Sequence, residues 1–222
     1  MATRNPLSRD RVLAAAVALV DRDGLPALTM RRLAADLGVE AMSLYYHLPA
    51  KKALLDGVVE TVLSEIRALP ADGGDWRRHL REQFLLARRV MLRHPWAPGL
   101  IASSTSVPPT VYAYYDGIVG TLVAAGFSYH LAHRALHAFG SMPLGFAQEI
   151  FSPAAAGGDF EPEAAEAELA AMAEAMPHIT AMVASEIHDA GEATLGWCDS
   201  QTEFEFTLDL LLNGLEQLRV AV

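Results

Sequence analysis

One cysteine in 222 residues, Cys198, excludes an intramolecular disulfide and, by itself, a cysteine-based zinc site. Long apolar runs are missing as well. Arg, Asp, Glu or His recurs throughout, so no stretch approaches the ~20 residues that a membrane span requires. The opening residues, MATRNPLSRDR, lack the apolar segment of a signal peptide, and a soluble cytoplasmic protein is expected. Neither strict polar–apolar alternation nor Val/Ile/Thr/Tyr runs occur, which removes the usual signs of strands. Catalytic signatures are equally scarce: there is no G-x-S-x-G, no P-loop, no G-x-G-x-x-G after a strand and no H-E-x-x-H. The glutamates of 161–174 read as a solvated helix face rather than as paired acid and base. No enzyme and no cofactor are expected.

What the chain does have is apolar material and helical periodicity. Hydrophobic residues make up 52% and charged residues 20%, enough for a real core and too apolar for disorder. The net charge of −10 is unevenly spread. Residues 1–55 carry eight Lys or Arg against five Asp or Glu, a net of +3, and the remainder carries −13. A basic end on an acidic body can still bind DNA, because the local field over the contact face decides.

Spacing of 3.6 residues recurs from end to end and predicts an all-α fold. Ser8 caps a first helix with Val12, Leu13, Ala16, Leu19 and Val20 on one face, closed by Gly24. Thr29 caps a short second helix carrying Leu33, Ala34 and Leu37 and stopped by Gly38. A third is expected over about 40–47 and a fourth over about 51–69. The fifth begins near Asp75, places Trp76, Leu80, Phe84 and Met91 on one side, and breaks at His94-Pro95. Prolines then cut the chain into short pieces. Longer helices are expected at about 110–126, 128–151, 163–188 and 201–220, with loops at 152–161 and 189–200.

Two short helices joined by a turn at Gly38 form the pattern of a helix-turn-helix. Leu33, Leu37, Val39, Leu44 and Leu48 would lock the pair, leaving Ala41, Met42, Ser43, Tyr45, Tyr46 and His47 outward, where the helix start can enter the major groove. From about residue 8 to residue 63 the sequence resembles the tetracycline-repressor (TetR) family of bacterial regulators. The likeness is carried by Asp-Gly-Leu-Pro-Ala-Leu-Thr (23–29), the helix-turn-helix, and Ser-Leu-Tyr-Tyr-His-Leu-Pro-Ala-Lys-Lys-Ala-Leu-Leu (43–55). Trp76 and Ala125-Gly-Phe-Ser128 point to the tetracycline-repressor-like type of C-terminal domain.

The resemblance implies a three-helix DNA-binding head, residues 1–50, on a ligand-binding and dimerisation body, residues 51–222, assembled as a homodimer on a four-helix interface. It gives Thr29 a phosphate contact, Arg31 a base-edge or phosphate contact, and Ala41, Met42 and Ser43 places facing the bases. Tyr45, Tyr46, His47 and Lys51 would hold phosphates. Met30 fits the core and the contact face equally. Tetracycline binding in the family uses a histidine-held magnesium ion, whereas this chain has Ile101 near that position and Ser104-Thr-Ser106 in the following turn. That departure argues against tetracycline as effector.

In the body, Phe84, Trp96, Tyr112, Tyr115, Phe139, Met142, Phe146 and Met176 fit either a solid core or the walls of an apolar pocket, with Gln83, Arg88 and Thr105 as its polar groups. His130, His133 and His137 share one helical face. They suit a dimer seam better than a metal, since no carboxylate joins them. The last helix repeats Phe204, Leu208, Leu211, Leu215 and Leu218 at seam spacing. A dimeric repressor released from a palindromic operator by a small, mostly apolar molecule is the function expected. The other possibility is a helical small-molecule binding or sequestering protein whose head is vestigial.

Overall fold

The computed structural model describes residues 6–66, 74–104, 107–146, 171, 173–186 and 200–220. All regular elements among them are helical. Two compact units divide the chain, Met1–Ala147 and Gln148–Val222.

The first unit opens with α1 (Arg9–Asp23), α2 (Met30–Leu37) and α3 (Ala41–His47). The Ser8 hydroxyl accepts from the Arg11 amide at 3.2 Å, and the amide of Gly24, at φ +79°, closes α1 onto the Val20 carbonyl at 2.8 Å. Thr29 accepts from the Arg32 amide at 3.1 Å and so starts α2. Gly38 ends it in the left-handed region, where a side chain would be strained. Its amide bonds to Ala35 and that of Val39 to Ala34, the paired closure of a Schellman cap. Leu33, Leu44 and Leu48 are fully enclosed, which fixes α2 against α3. Met30 is half-buried and packs on the same core.

The following helix, α4 (Lys51–Glu65), lies along α1. Gly57 makes the crossing close: a Cβ there would stand 2.7 Å from Leu13 Cδ2. α5 (Trp76–Arg93) starts at Asp75, whose carboxylate accepts from the Arg77 amide at 2.9 Å, and α6 (Ala97–Ala102) follows the break at His94-Pro95. One apolar cluster runs from Val12 of α1 to Ala97 of α6. α7 (Pro109–Ala124) packs on α8 (Tyr129–Gly140), and Trp76 meets Phe127 edge-on at 4.8 Å.

The helix expected over 128–151 is interrupted. α8 ends at Gly140, and the short α9 (Met142–Gly145) restarts beyond Ser141. Pro143 cannot donate to the 139 carbonyl and its ring would strike it, so the ladder breaks there. In the second unit, α10 (Pro177–Glu186) is a shorter piece of the helix expected over 163–188, and it begins at a proline. α11 (Ser200–Val220) runs as expected. Its enclosed positions are Phe204, Leu208, Leu212 and Leu215, whereas Leu211 is half-buried and Leu218 is exposed. The loops over 152–161 and 189–199, with Cys198, lie outside the described residues.

Candidate DNA-reading head and effector cavity

On the head, burial separates two kinds of side chain. Leu44 is fully enclosed, whereas Met42 is 76% and Tyr46 88% exposed on the same two turns of α3. Ser43 and Tyr45 are also exposed, and Ala41 and His47 are half-buried, with His47 edge-on to Tyr46 at 5.2 Å. Thr29, Arg31 and Lys51 are exposed. The nine residues assigned to DNA thus sit on the start of α2, along α3 and at the start of α4.

Ion pairing sorts the cations further. Arg32 contacts Asp23 at 3.1 Å and Asp36 at 3.5 Å, and Arg22 joins the same two carboxylates at 3.0 and 2.8 Å. The hydrogen bonds from Arg22 hold the Asp23 carboxyl below the ordinary aspartate range. Lys52 is tied to Asp56 at 2.6 Å. Neither Arg31 nor Lys51 has such a partner among the described residues. Of each adjacent pair of cations, one is committed to the fold and one is available to an outside anion.

A polar node joins α1 to the α5–α6 connection. Asp21 Oδ1 accepts from the Trp96 indole N–H at 2.7 Å and lies 2.7 Å from His94 Nδ1, which must carry the proton to donate to it. His94 is nearly enclosed. Its Nε2 stands 3.4 Å from Glu65 Oε1 without hydrogen-bond geometry, and Glu65 pairs with Arg93 at 3.1 Å.

Within the first unit lies a cavity of about 100 Å³ walled by α4 through α9. Of the residues expected there, Phe84 and Tyr115 line it. Phe139 stacks beneath Phe84 at 4.9 Å, Met142 is buried nearby in sequence on α9, and Gln83 hydrogen-bonds the Tyr114 phenol. Arg88 is enclosed with its guanidinium 6.0 Å from the Phe146 ring centre, off the cavity wall. Trp96 turns instead to Asp21, Tyr112 is 63% exposed, and Met176 is exposed in the second unit. Thr105 lies outside the described residues.

The wall also uses Leu63, Met91, Ile101, Thr110 and Tyr114, which sequence reasoning did not select. Tyr112 and Tyr115 were visible as aromatics on α7, but only the helix's rotation places Tyr114 inward. Burial, with Tyr115 beside it, pushes the Tyr114 phenol above its ordinary value. On α8, His130, His133 and His137 are all exposed, and the last two rings meet edge-on at 4.7 Å. Among the described residues no three metal-binding side chains converge.

Comparison with known proteins finds two family patterns in the chain. The pattern of bacterial regulatory proteins of the tetR family matches residues 12–58, and that of the tetracyclin repressor-like C-terminal domain matches residues 69–219. An HTH-type transcriptional regulator of Saccharopolyspora erythraea is 38% identical over 125 residues, 56% of this chain and about half, 53%, of that protein. The class C tetracycline repressor of Escherichia coli is 30% identical over 97% of this chain and 94% of its own length. A crystal structure of the TetR family protein ActR of Streptomyces coelicolor in complex with actinorhodin superposes with a TM-score of 0.75 at 25% identity, covering 97% of this chain and 96% of that one.

Proposed function

The chain belongs to the tetracycline-repressor family of bacterial regulatory proteins, and from that premise we propose that this DNA-binding transcriptional regulator is a dimeric repressor released from a palindromic operator by a small, mostly apolar effector. Its family is non-enzymatic. Residues 1–50 would serve as the reading head and 51–222 as the effector-binding and dimerisation body, acting in the cytoplasm.

One observation carries the reading: α4 belongs to both sites. Leu63 near its far end and Ile66 just beyond it line the cavity, and Lys51 at its start follows α3 by four residues. A ligand that enlarges or fills the cavity therefore acts on the helix that carries the head. To release DNA it must bind the DNA-incompetent arrangement better than the competent one, and couplings of roughly 5–150-fold are typical. A solved relative holding actinorhodin supports an effector role for the body, while Ile101 in this wall argues against a histidine-held metal–tetracycline complex.

Titrating the purified protein onto the DNA upstream of its own gene tests the proposal. Specific binding that weakens with salt by about 0.9 log unit per log salt for each neutralised phosphate is expected. Equal affinity for operator and scrambled DNA would favour a sequestering protein with a vestigial head.

A further inference from the structure

We infer that the cavity selects an uncharged aromatic molecule bearing one hydrogen-bonding oxygen, and that Thr110 on α7 is the residue that recognises that oxygen. The inference rests on the reading of the cavity as the effector site. Its wall is largely apolar: Leu63, Ile66, Phe84, Met91, Val111 and Pro143 line it, and among the described residues no Asp, Glu, Lys, Arg or His does. A charged group drawn from water into such walls would find no counter-charge, which is costly. At about 100 Å³ the space suits a single ring, since a dry cavity of about 150 Å³ accommodates benzene. Larger molecules would extend through its open side or displace the adaptable Met91 side chain.

Among the described lining residues, hydroxyls belong to Thr110, Tyr114 and Tyr115. Thr110 lines the cavity, and its Oγ1 is buried with no hydrogen-bond partner among the described residues. Buried hydroxyls are normally paired; this one is covered, and a turn about its χ1 would present it to a ligand in the cavity. The neighbouring phenol of Tyr114 is already engaged by Gln83, and its burial keeps it protonated. A ligand oxygen at Thr110 therefore gains a bond that an isosteric methyl group cannot, whereas a carboxylate gains one bond and loses its hydration.

Three rings of one shape test this by calorimetric titration of the full chain: p-cresol, p-xylene and p-toluate. The wild type should bind p-cresol about tenfold tighter than p-xylene, with p-toluate weakest. Thr110→Val, nearly isosteric, should reduce the preference for p-cresol below about twofold and leave p-xylene as tight or tighter, whereas Thr110→Ser should retain the preference. Thermal melts of each variant establish that it is folded. Equal binding of p-cresol and p-xylene by the wild type, a preference that survives Thr110→Val, or a preference for p-toluate overturns the role of Thr110 while leaving the cavity as a ligand site. Failure of all three rings to bind overturns the effector-site reading itself, and this inference with it.

Discussion

At the scale of single residues, adjacent side chains of the same type have opposite fates. Arg31 and Arg32 differ by one position on α2, yet only Arg32 is held by Asp23 and Asp36. Arg31→Ala should lower operator affinity, leave the melting temperature unchanged and reduce the salt slope by about one phosphate's share. Arg32→Ala should instead lower the melting temperature, with less effect on binding at saturating stability. Identical behaviour of the two variants in electrophoretic and melting assays would contradict the division. The Asp23 side of this network has a clear pH sign. Its folded pKa is lowered by Arg22, so its contribution is present above the unfolded value near 3.9 and fades only as pH falls through the lower folded one. Between pH 6 and 8 the network is constant, and any pH dependence of operator binding in that window arises elsewhere.

The buried node at Asp21 is also a residue-scale matter. Removing the carboxylate in Asp21→Ala leaves the enclosed His94 and the Trp96 indole without their shared acceptor. Orphaning a buried donor typically costs about 1–3 kcal/mol. A fall in denaturant midpoint is expected, larger than that of Trp96→Phe, which removes a single donor. An unchanged midpoint would mean that water replaces the carboxylate at no cost.

At the scale of elements, the helix ends of the head were legible because their signals are local. Ser8 and Thr29 accept from backbone amides at the helix starts they were expected to cap, Asp75 does so where the fifth helix was expected to begin, and Gly24 and Gly38 take the positive φ that glycine adopts without strain. The break between α8 and α9 was written in Pro143, but the continuing apolar pattern over 128–151 masked it. The cavity was harder to see. Phe84 and Tyr115 stand out as aromatics, whereas Thr110 and Tyr114 matter because of how α7 is rotated against α4 and α5, and rotation depends on contacts distant in sequence. Likewise Trp96 looked like a wall residue by type and proved to be a tie to α1. The α1–α4 crossing offers a test at this scale. Gly57→Ala would gain about 1 kcal/mol of helix propensity, yet its methyl would meet the buried Leu13 side chain at 2.7 Å. Overpacking of a filled site costs about 1–3 kcal/mol, so net destabilisation is expected in chemical denaturation. Net stabilisation would show that Leu13 can repack.

For the whole molecule, the proposed homodimer calls for an apolar surface that the single chain leaves uncovered. On α11, Phe206, Leu210 and Leu218 are more than half exposed, whereas Phe204, Leu208, Leu212 and Leu215 are enclosed. The double variant Phe206→Glu/Leu210→Glu should yield a folded monomer by light scattering and circular dichroism. Leu212→Glu with Leu215→Glu should unfold the chain, because it buries charge without a partner. A folded dimer from the first pair would place the assembly surface elsewhere.

In the proposed release of DNA, the tight spot at Gly57 would set the mechanical advantage of α4. Leu63 lies six residues beyond it and Lys51 six before it, so with a rise of about 1.5 Å per residue each arm measures about 9 Å. A rigid α4 rocking about this fulcrum has a gain of one: about 1 Å of displacement at the cavity returns about 1 Å, in the opposite direction, where the helix meets the head. Any larger shift of the reading surface must come from the distance between Lys51 and the tip of α3, or from two copies moving in opposite senses. An effector that reaches farther against the end of α4 would then favour the DNA-incompetent arrangement more strongly.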